Sequence, residues 1–467
     1  MYFPGVLMVF SSLLFTFCLL PLFLVADSGA RLLRANALRN SALLGVSLLF
    51  YTWGEAANVL ILLAMGGMNW LAGWGLARTR RPKLLLAASI AVNLGVLFFF
   101  KYAFWLISLT VPGIVLETRG IPLGISFFTF HAISYLVDLY RGHIGPARNA
   151  LDFMTYFCMF PHLVAGPIVR YAQVAGELRT RGPDRDLFAF GVFRFLVGLN
   201  KKVLIANSVS ILADSAFTVS AASGLGSVDA WIGCVAYTIQ IYFDFSGYSD
   251  MAIGLAAMAG FRFEENFKRP YSSVSIRDFW RRWHISLATW FRDYLYIPLG
   301  GSKKTEVVTY RNLLLVFLLC GLWHGASFNF VIWGLWHGMF LVLERLPFGR
   351  VLESLPRLVT RAYTLLVVMF GWIFFRAEGL NDAIRYLGQM FSFSFTPSIL
   401  FYHAAAPLFL VVGVMLCLLP DKVIAAPTSR NPAAFTMGTF VLQALLAVAS
   451  VGLLVVGTRN PFIYFNF

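Results

Sequence analysis

Long apolar runs, broken by short polar and basic clusters, repeat along the whole chain. Runs near the ~20 residues that a membrane-crossing helix needs lie around 6–26, 38–53, 56–77, 84–111, 121–140, 187–206, 228–260, 312–346, 358–375, 400–420 and 433–457. The run 312–346 is long enough for two antiparallel spans. The stretch 151–169 holds Pro161, Gly166 and Pro167; a helix broken that way at membrane depth must be buried in protein or line a cavity. The pattern predicts an all-α integral membrane protein with about eleven transmembrane helices. Re-entrant segments are expected near 151–169 and 284–300. No polar stretch is long enough to fold separately, so residues 1–467 read as a single transmembrane domain. The sequence shows no internal repeat and no low-complexity tract. It opens directly into an apolar run with no basic region before it, which reads as a first span rather than a cleavable signal.

Composition agrees with this pattern. Of 467 residues, 59% are hydrophobic and 13% charged, where a soluble chain carries roughly a quarter of its residues charged. The net charge of +15 suggests nucleic acid only where basic residues form a stripe on a soluble face. Here they cluster between apolar runs: Arg31, Arg34 and Arg39; Arg78, Arg80, Arg81 and Lys83; Arg141 and Arg148. The loops near Glu55 and Glu117 are nearly free of them. By the positive-inside rule this places the N-terminus outside the cell and 170–202 and 262–311 in the cytoplasm. The second segment holds ten Lys or Arg against five acids, which suits a landing surface for an anionic ligand or topology marking alone. Five scattered cysteines, Cys18, Cys158, Cys234, Cys320 and Cys417, fit neither a metal cage nor a disulfide framework and read as small buried apolar residues.

Polar groups kept inside apolar runs are costly and face a bundle interior, which narrows the candidate chemistry to three clusters. The first is Gly321-Leu322-Trp323-His324-Gly325-Ala326 with Asn329, followed by Trp336-His337-Gly338. His324 lies thirteen residues beyond Arg311, roughly 20 Å along a helix. In one unbroken helix His324 and His337 would face nearly opposite ways, so sharing a site requires a turn near Gly325 to Asn329. For His337 the structural reading, a hydrogen bond to a neighbouring helix, comes first. The second cluster runs Phe279-Trp280-Arg281-Arg282-Trp283-His284 to Trp290-Phe291-Arg292-Asp293-Tyr294 and Pro298-Leu299-Gly300-Gly301. It reads as an interfacial aromatic belt or as a phosphate-pairing site. The third is Tyr242 to Asp250. Asp244 and Asp250 are six residues apart and face different sides of a helix, so each is expected to pair with a cation on another helix, with Lys101 a candidate.

Phosphate-loop, His-Glu-x-x-His and Gly-x-Ser-x-Gly motifs are absent from the sequence, and no bound metal or cofactor is expected. A buried histidine with an unperturbed pKa near 6.5 suits a general base. The residues alone leave acyl transfer and proton-coupled transport equally open.

Arg282-Trp283-His284-Ile285-Ser286-Leu287, then Arg292-Asp293-Tyr294-Leu295-Tyr296-Ile297-Pro298-Leu299-Gly300-Gly301, then Leu322-Trp323-His324-Gly325 together resemble the membrane-bound O-acyltransferase (MBOAT) family, in its bacterial alginate O-acetyltransferase-like group. Agreement continues in register at Pro122 to Phe127, Ser134 to Gly142, Phe160 to Ile168, Asp244 to Asp250, Phe374 to Ala377 and Phe462 to Phe465. The resemblance implies about eleven spans and re-entrant segments around a central tunnel. It matches His324 to the catalytic histidine and His284 to a second tunnel histidine. Arg281, Arg282, Trp283, Trp323, Asp293, Asp244, Asn329 and His337 become candidates for the donor and substrate tunnel. It further implies a multi-pass inner-membrane protein amid membrane lipid. Acetyl-CoA or another acyl thioester would be the cytoplasmic donor. A periplasmic SGNH-hydrolase-like acetyltransferase and a polysaccharide biosynthesis and secretion complex would be the partners. His162 departs from the family pattern, where Gln is expected; it adds a titratable group or satisfies broken backbone. A related branch moves D-alanine onto teichoic acids, so acyl identity rests on the weaker Tyr-Ile-Pro-Leu-Gly-Gly run.

Overall fold

The computed structural model describes residues 8–33, 35–111, 120–222, 224–394, 399, 405–419, 436–457, 460 and 463. The Glu117 loop, Arg34 and the terminal Phe462, Tyr464 and Phe465 lie outside them. Among the described residues there are helices and turns but no strand. Seven helices are long and apolar enough to cross a membrane: Phe15–Leu32, Val59–Leu76, Pro82–Lys101, Arg185–Ala221, Glu306–His324, Arg357–Arg376 and Met437–Val456. Ile125–Tyr140, Phe328–Leu343 and Ala406–Leu418 are shorter apolar helices. Every apolar run of the sequence therefore contains a helix, with local corrections. The 84–111 run is two helices, Pro82–Lys101 and Ala103–Thr110, and the 187–206 run continues to residue 221. Asn36–Glu55 and Ser227–Met258 are helical but are not among the seven. The first carries Arg39 and Asn40, and the second carries Asp229, Gln240, Asp244 and Asp250.

Contacts gather the chain into two compact units. The first comprises 1–199, 248–264 and 427–458. Its polar residues are tied to each other rather than to a loop surface. Asp27 receives Arg39 through Nε at 2.8 Å and Nη2 at 3.1 Å, and Arg31 at 2.7 Å. Arg39 is only 2% exposed, so this member of the first basic cluster closes a buried ion pair. Asn69 and Asn93 exchange hydrogen bonds at 2.9 and 2.8 Å between the Val59–Leu76 and Pro82–Lys101 helices. The broken stretch 151–169 forms helices Ala150–Cys158 and Phe160–Leu163 and is buried almost throughout, as its proline and glycine content requires.

The second unit comprises 200–247, 265–426 and 459–467. The 312–346 run resolves into a helical hairpin, Glu306–His324 and Phe328–Leu343, with a turn at Gly325 to Ser327. Two glycines permit the close approach of its arms. A Cβ on Gly321 would stand 2.1 Å from the carbonyl oxygen of Phe330, and one on Gly334 2.2 Å from that of Phe317. Small residues serve the same purpose wherever helices must touch backbone to backbone in lipid. Beside the hairpin lies Arg357–Arg376, tied by the Trp336 indole N–H donating to Val367 O at 2.8 Å. Of the cysteines, Cys158, Cys234 and Cys320 are buried, Cys417 is half-buried and Cys18 is exposed.

Candidate active site

The hairpin turn decides where His324 points. Glu306–His324 ends on the histidine itself, and Gly325 leaves the helix in an extended conformation. Asn329, in the first turn of the returning helix, donates its amide to Ala377 O at 2.7 Å and so ties that end to the end of Arg357–Arg376. The imidazole of His324 is then boxed by aromatic rings. The Trp323, Trp333 and Phe375 centroids lie 4.8, 4.9 and 5.2 Å away, each close to edge-on. Only 4% of His324 is exposed.

His284 reaches the same neighbourhood from a different element. It precedes the short helix Ile285–Phe291 with φ 43° and ψ 55°, the left-handed region that histidine enters more readily than most residues but that still costs on the order of 1–3 kcal/mol. Asn266 holds it there. The Asn266 carbonyl accepts the Ile285 amide at 2.9 Å. Its side-chain oxygen accepts the Ser286 amide at 3.2 Å and hydroxyl at 2.8 Å, and lies 3.2 Å from His284 Nδ1. An amide oxygen only accepts, so Nδ1 carries the proton and Nε2 keeps the lone pair. The ring meets Phe245 edge-on at 4.7 Å and Trp323 at 6.3 Å. Trp323 thus touches both histidines.

The remaining candidates separate. His337 packs on Trp333, Trp280 and Phe279 at 5.3, 5.2 and 6.1 Å, so the turn does bring it to the far side of the ring that encloses His324. Neither of its nitrogens has a hydrogen-bond partner among the described residues. The interhelical hydrogen bond expected of it is not formed, and Gly371, whose Cβ would stand 2.9 Å from Nε2, simply leaves it room. Trp283 is buried against Trp372 at 4.9 Å and Phe267 at 5.0 Å. Arg282 is bound to Asp278 at 3.0 Å and Arg292 to Asp293 at 2.6 Å. Arg281 is exposed.

Asp244 is not paired with Lys101. Lys202 Nζ lies 2.7 Å from Asp244 Oδ1, and the Ile463 amide donates to Oδ2 at 2.9 Å. In the first unit, Asp250 takes Arg194 at 2.6 Å, and Lys101 donates to Ser126 Oγ at 3.2 Å. Each carboxylate does meet a cation, as its intramembrane position demands. His162 donates from Nε2 to Tyr156 O at 2.7 Å and stacks on His131 with centroids 4.3 Å apart. Sequence reasoning passed over Asn266, which sits in a loop with no periodicity to mark it; its adjacency to the second histidine exists only after folding.

Membrane-length apolar helices, one of them ending on the enclosed His324, define a membrane-embedded protein with buried imidazoles in its interior. A family model described as "MBOAT, membrane-bound O-acyltransferase family" matches residues 143–381. The chain is 44% identical over 401 residues to the "Probable alginate O-acetylase AlgI" of Pseudomonas putida, covering 83% of this chain and 81% of that one. It is 45% identical over 401 residues to the protein of the same description from Pseudomonas aeruginosa, covering 83% and 75%. It is 32% identical over 428 residues to the "Peptidoglycan O-acetyltransferase" of Helicobacter pylori, covering 82% and 80%. The chain belongs to the membrane-bound O-acyltransferase family and is an O-acyltransferase.

Proposed function

We propose that this protein takes an acetyl group from a cytoplasmic thioester, acetyl-CoA, and passes it across the bacterial inner membrane for O-acetylation of an exported polysaccharide. The observation that carries this reading is the enclosure of His324 by Trp323, Trp333 and Phe375, with His284 on the other side of Trp323. It is supported by similarity to proteins named for O-acetylation of alginate and peptidoglycan. About eleven spans around a tunnel would let donor and acceptor reach this imidazole from opposite faces.

In this reading His324 removes the proton of an acceptor hydroxyl as its oxygen attacks the thioester carbonyl. The carbon–sulfur bond breaks, and the departing thiolate recovers the proton from the imidazolium. An ester and a free thiol result, with no change of oxidation state. His284, its Nδ1 proton committed to Asn266, offers Nε2 to the same reaction path. The outer-face acceptor is a periplasmic SGNH-hydrolase-like acetyltransferase working with the polysaccharide secretion complex.

The test is transfer of radiolabelled acetyl from acetyl-CoA by purified protein in detergent, with wild type beside His324→Ala and His284→Ala. Label reaching acceptor or water in wild type, and lost by 10²- to 10⁴-fold in well-folded His324→Ala, supports the proposal. Equal turnover in all three would move the chemistry elsewhere. Absence of turnover with the periplasmic partner supplied would overturn the acetyl-CoA assignment.

A further inference from the structure

A cavity of about 190 Å³ lies in the second unit beside the histidine cluster, without His324 or His284 in its lining. One wall is a stripe of the Glu306–His324 helix: Leu313, Val316, Phe317 and Cys320. Eight residues of helix, seven rises from Leu313 to Cys320, give this wall a length of roughly 10 Å. The opposite side is Leu287, Ala288 and Phe291 of the short helix Ile285–Phe291. Three guanidinium groups, Arg277, Arg281 and Arg292, belong to the lining and are exposed, Arg292 being paired with Asp293. Two further polar groups of the lining, the Trp280 indole N–H and the Tyr296 hydroxyl, are buried and have no hydrogen-bond partner among the described residues. Buried donors left without a partner are uncommon and call for an explanation, a bound ligand among them.

Apolar residues of a membrane helix, three guanidinium groups and two unpartnered donors share one lining. A small soluble anion would leave the apolar wall wet. We propose that the cavity holds an anionic phospholipid. One acyl chain lies against Leu313 to Cys320, its phosphate faces Arg277, Arg281 and Arg292, and its ester or phosphate oxygens take the protons of Trp280 and Tyr296. Basic pockets at the cytoplasmic end of membrane helices recognise anionic headgroups on this electrostatic basis. Trp280 forms the partition between the lipid and the interior. Its ring meets His337 at 5.2 Å and Trp333 at 5.8 Å, and Trp333 in turn touches His324. The bound lipid is thereby two aromatic rings, Trp280 and Trp333, from the candidate base and fixes the position of the first.

The experiment is native mass spectrometry of the full-length protein in detergent, titrated separately with phosphatidylglycerol and phosphatidylcholine. Wild type retains one phosphatidylglycerol with an apparent affinity at least about tenfold above that for phosphatidylcholine. Combined Arg277→Ala, Arg281→Ala and Arg292→Ala lowers the anionic affinity to the zwitterionic level, a loss of at least about tenfold. Ala288→Phe, which fills the cavity and keeps every charge, also loses the adduct by at least about tenfold. Equal affinity for the two lipids in wild type, or no change in either variant, overturns the proposal. Displacement of the lipid one-for-one by coenzyme A overturns it in favour of a donor site. Unfolding temperature is followed in parallel; should Ala288→Phe unfold, the arginine variant decides alone.

Discussion

The side-chain oxygen of Asn266 lies 3.2 Å from Nδ1 of His284, while the same oxygen accepts both the amide and the hydroxyl of Ser286. One buried amide therefore fixes the tautomer and the left-handed backbone of the second histidine together. Asn266→Ala is expected to lower turnover about 100-fold, the scale of a small misplacement of a reacting group. Asn266→Asp keeps an acceptor oxygen and should recover most of that loss. Acetyl transfer measured beside thermal unfolding checks it: equal loss in both variants, tracking unfolding, would leave Asn266 a packing residue only.

The hairpin that aims His324 depends on glycine contacts, not on sequence-local preference. Gly334→Ala places a methyl 2.2 Å from the Phe317 carbonyl oxygen, so the arms must separate, and overpacking of this kind costs roughly 1–3 kcal/mol. Gly67→Ala, where a Cβ meets nothing within 4 Å, should be neutral or gain up to about 1 kcal/mol from helix propensity. Unfolding in denaturing detergent reads both. Identical stability of the two variants would refute the close-approach account.

These contacts show where sequence reading ends. Apolar run length located a helix in every predicted span, because the bilayer imposes that length directly. The turn at Gly325 to Ser327 was likewise legible from 312–346 being too long for one span. Partnerships were not. Lys101 was the cation proposed for the acidic pair, yet Lys202 and Arg194 fill that role, since side-chain pairing depends on helix rotation and neighbour choice that no single segment encodes. The pairing of Arg39 with Asp27 was hidden for the same reason. His337 lacks the hydrogen bond expected of it because the surface facing it is aromatic. Asn266 carried no signal at all.

Lys202 and Asp244 are each 1% exposed, 2.7 Å apart. Removing one member of such a pair leaves a buried charge and costs about 3–5 kcal/mol, whereas replacing both by apolar groups of similar size is often neutral. Lys202→Met is expected to be strongly destabilised, and Lys202→Met with Asp244→Leu to recover much of that loss. A double-mutant cycle on unfolding supplies the measurement. If the double variant retains turnover, Asp244 is structural; if it folds yet is inactive, Asp244 belongs to the reaction path.

Glu344 stands just beyond the Phe328–Leu343 helix and accepts the amides of Ile276 at 2.6 Å and Arg277 at 3.1 Å, capping the start of the short helix Ile276–Arg282. Burial raises its carboxyl above the ordinary value, while these amides, the Tyr363 hydroxyl and the Arg277 charge pull the other way without cancelling it. The folded protein therefore binds this proton more tightly than the unfolded chain does. Stability from this group is fully present below the unfolded value of about 4.5 and is lost as pH rises through the folded one. Glu344→Gln carries no titration there. Its unfolding temperature should accordingly fall less than that of wild type as pH rises above about 4.5. Parallel slopes for the two proteins, or a wild-type gain over that interval, would mean that the amide bonds, rather than burial, govern Glu344.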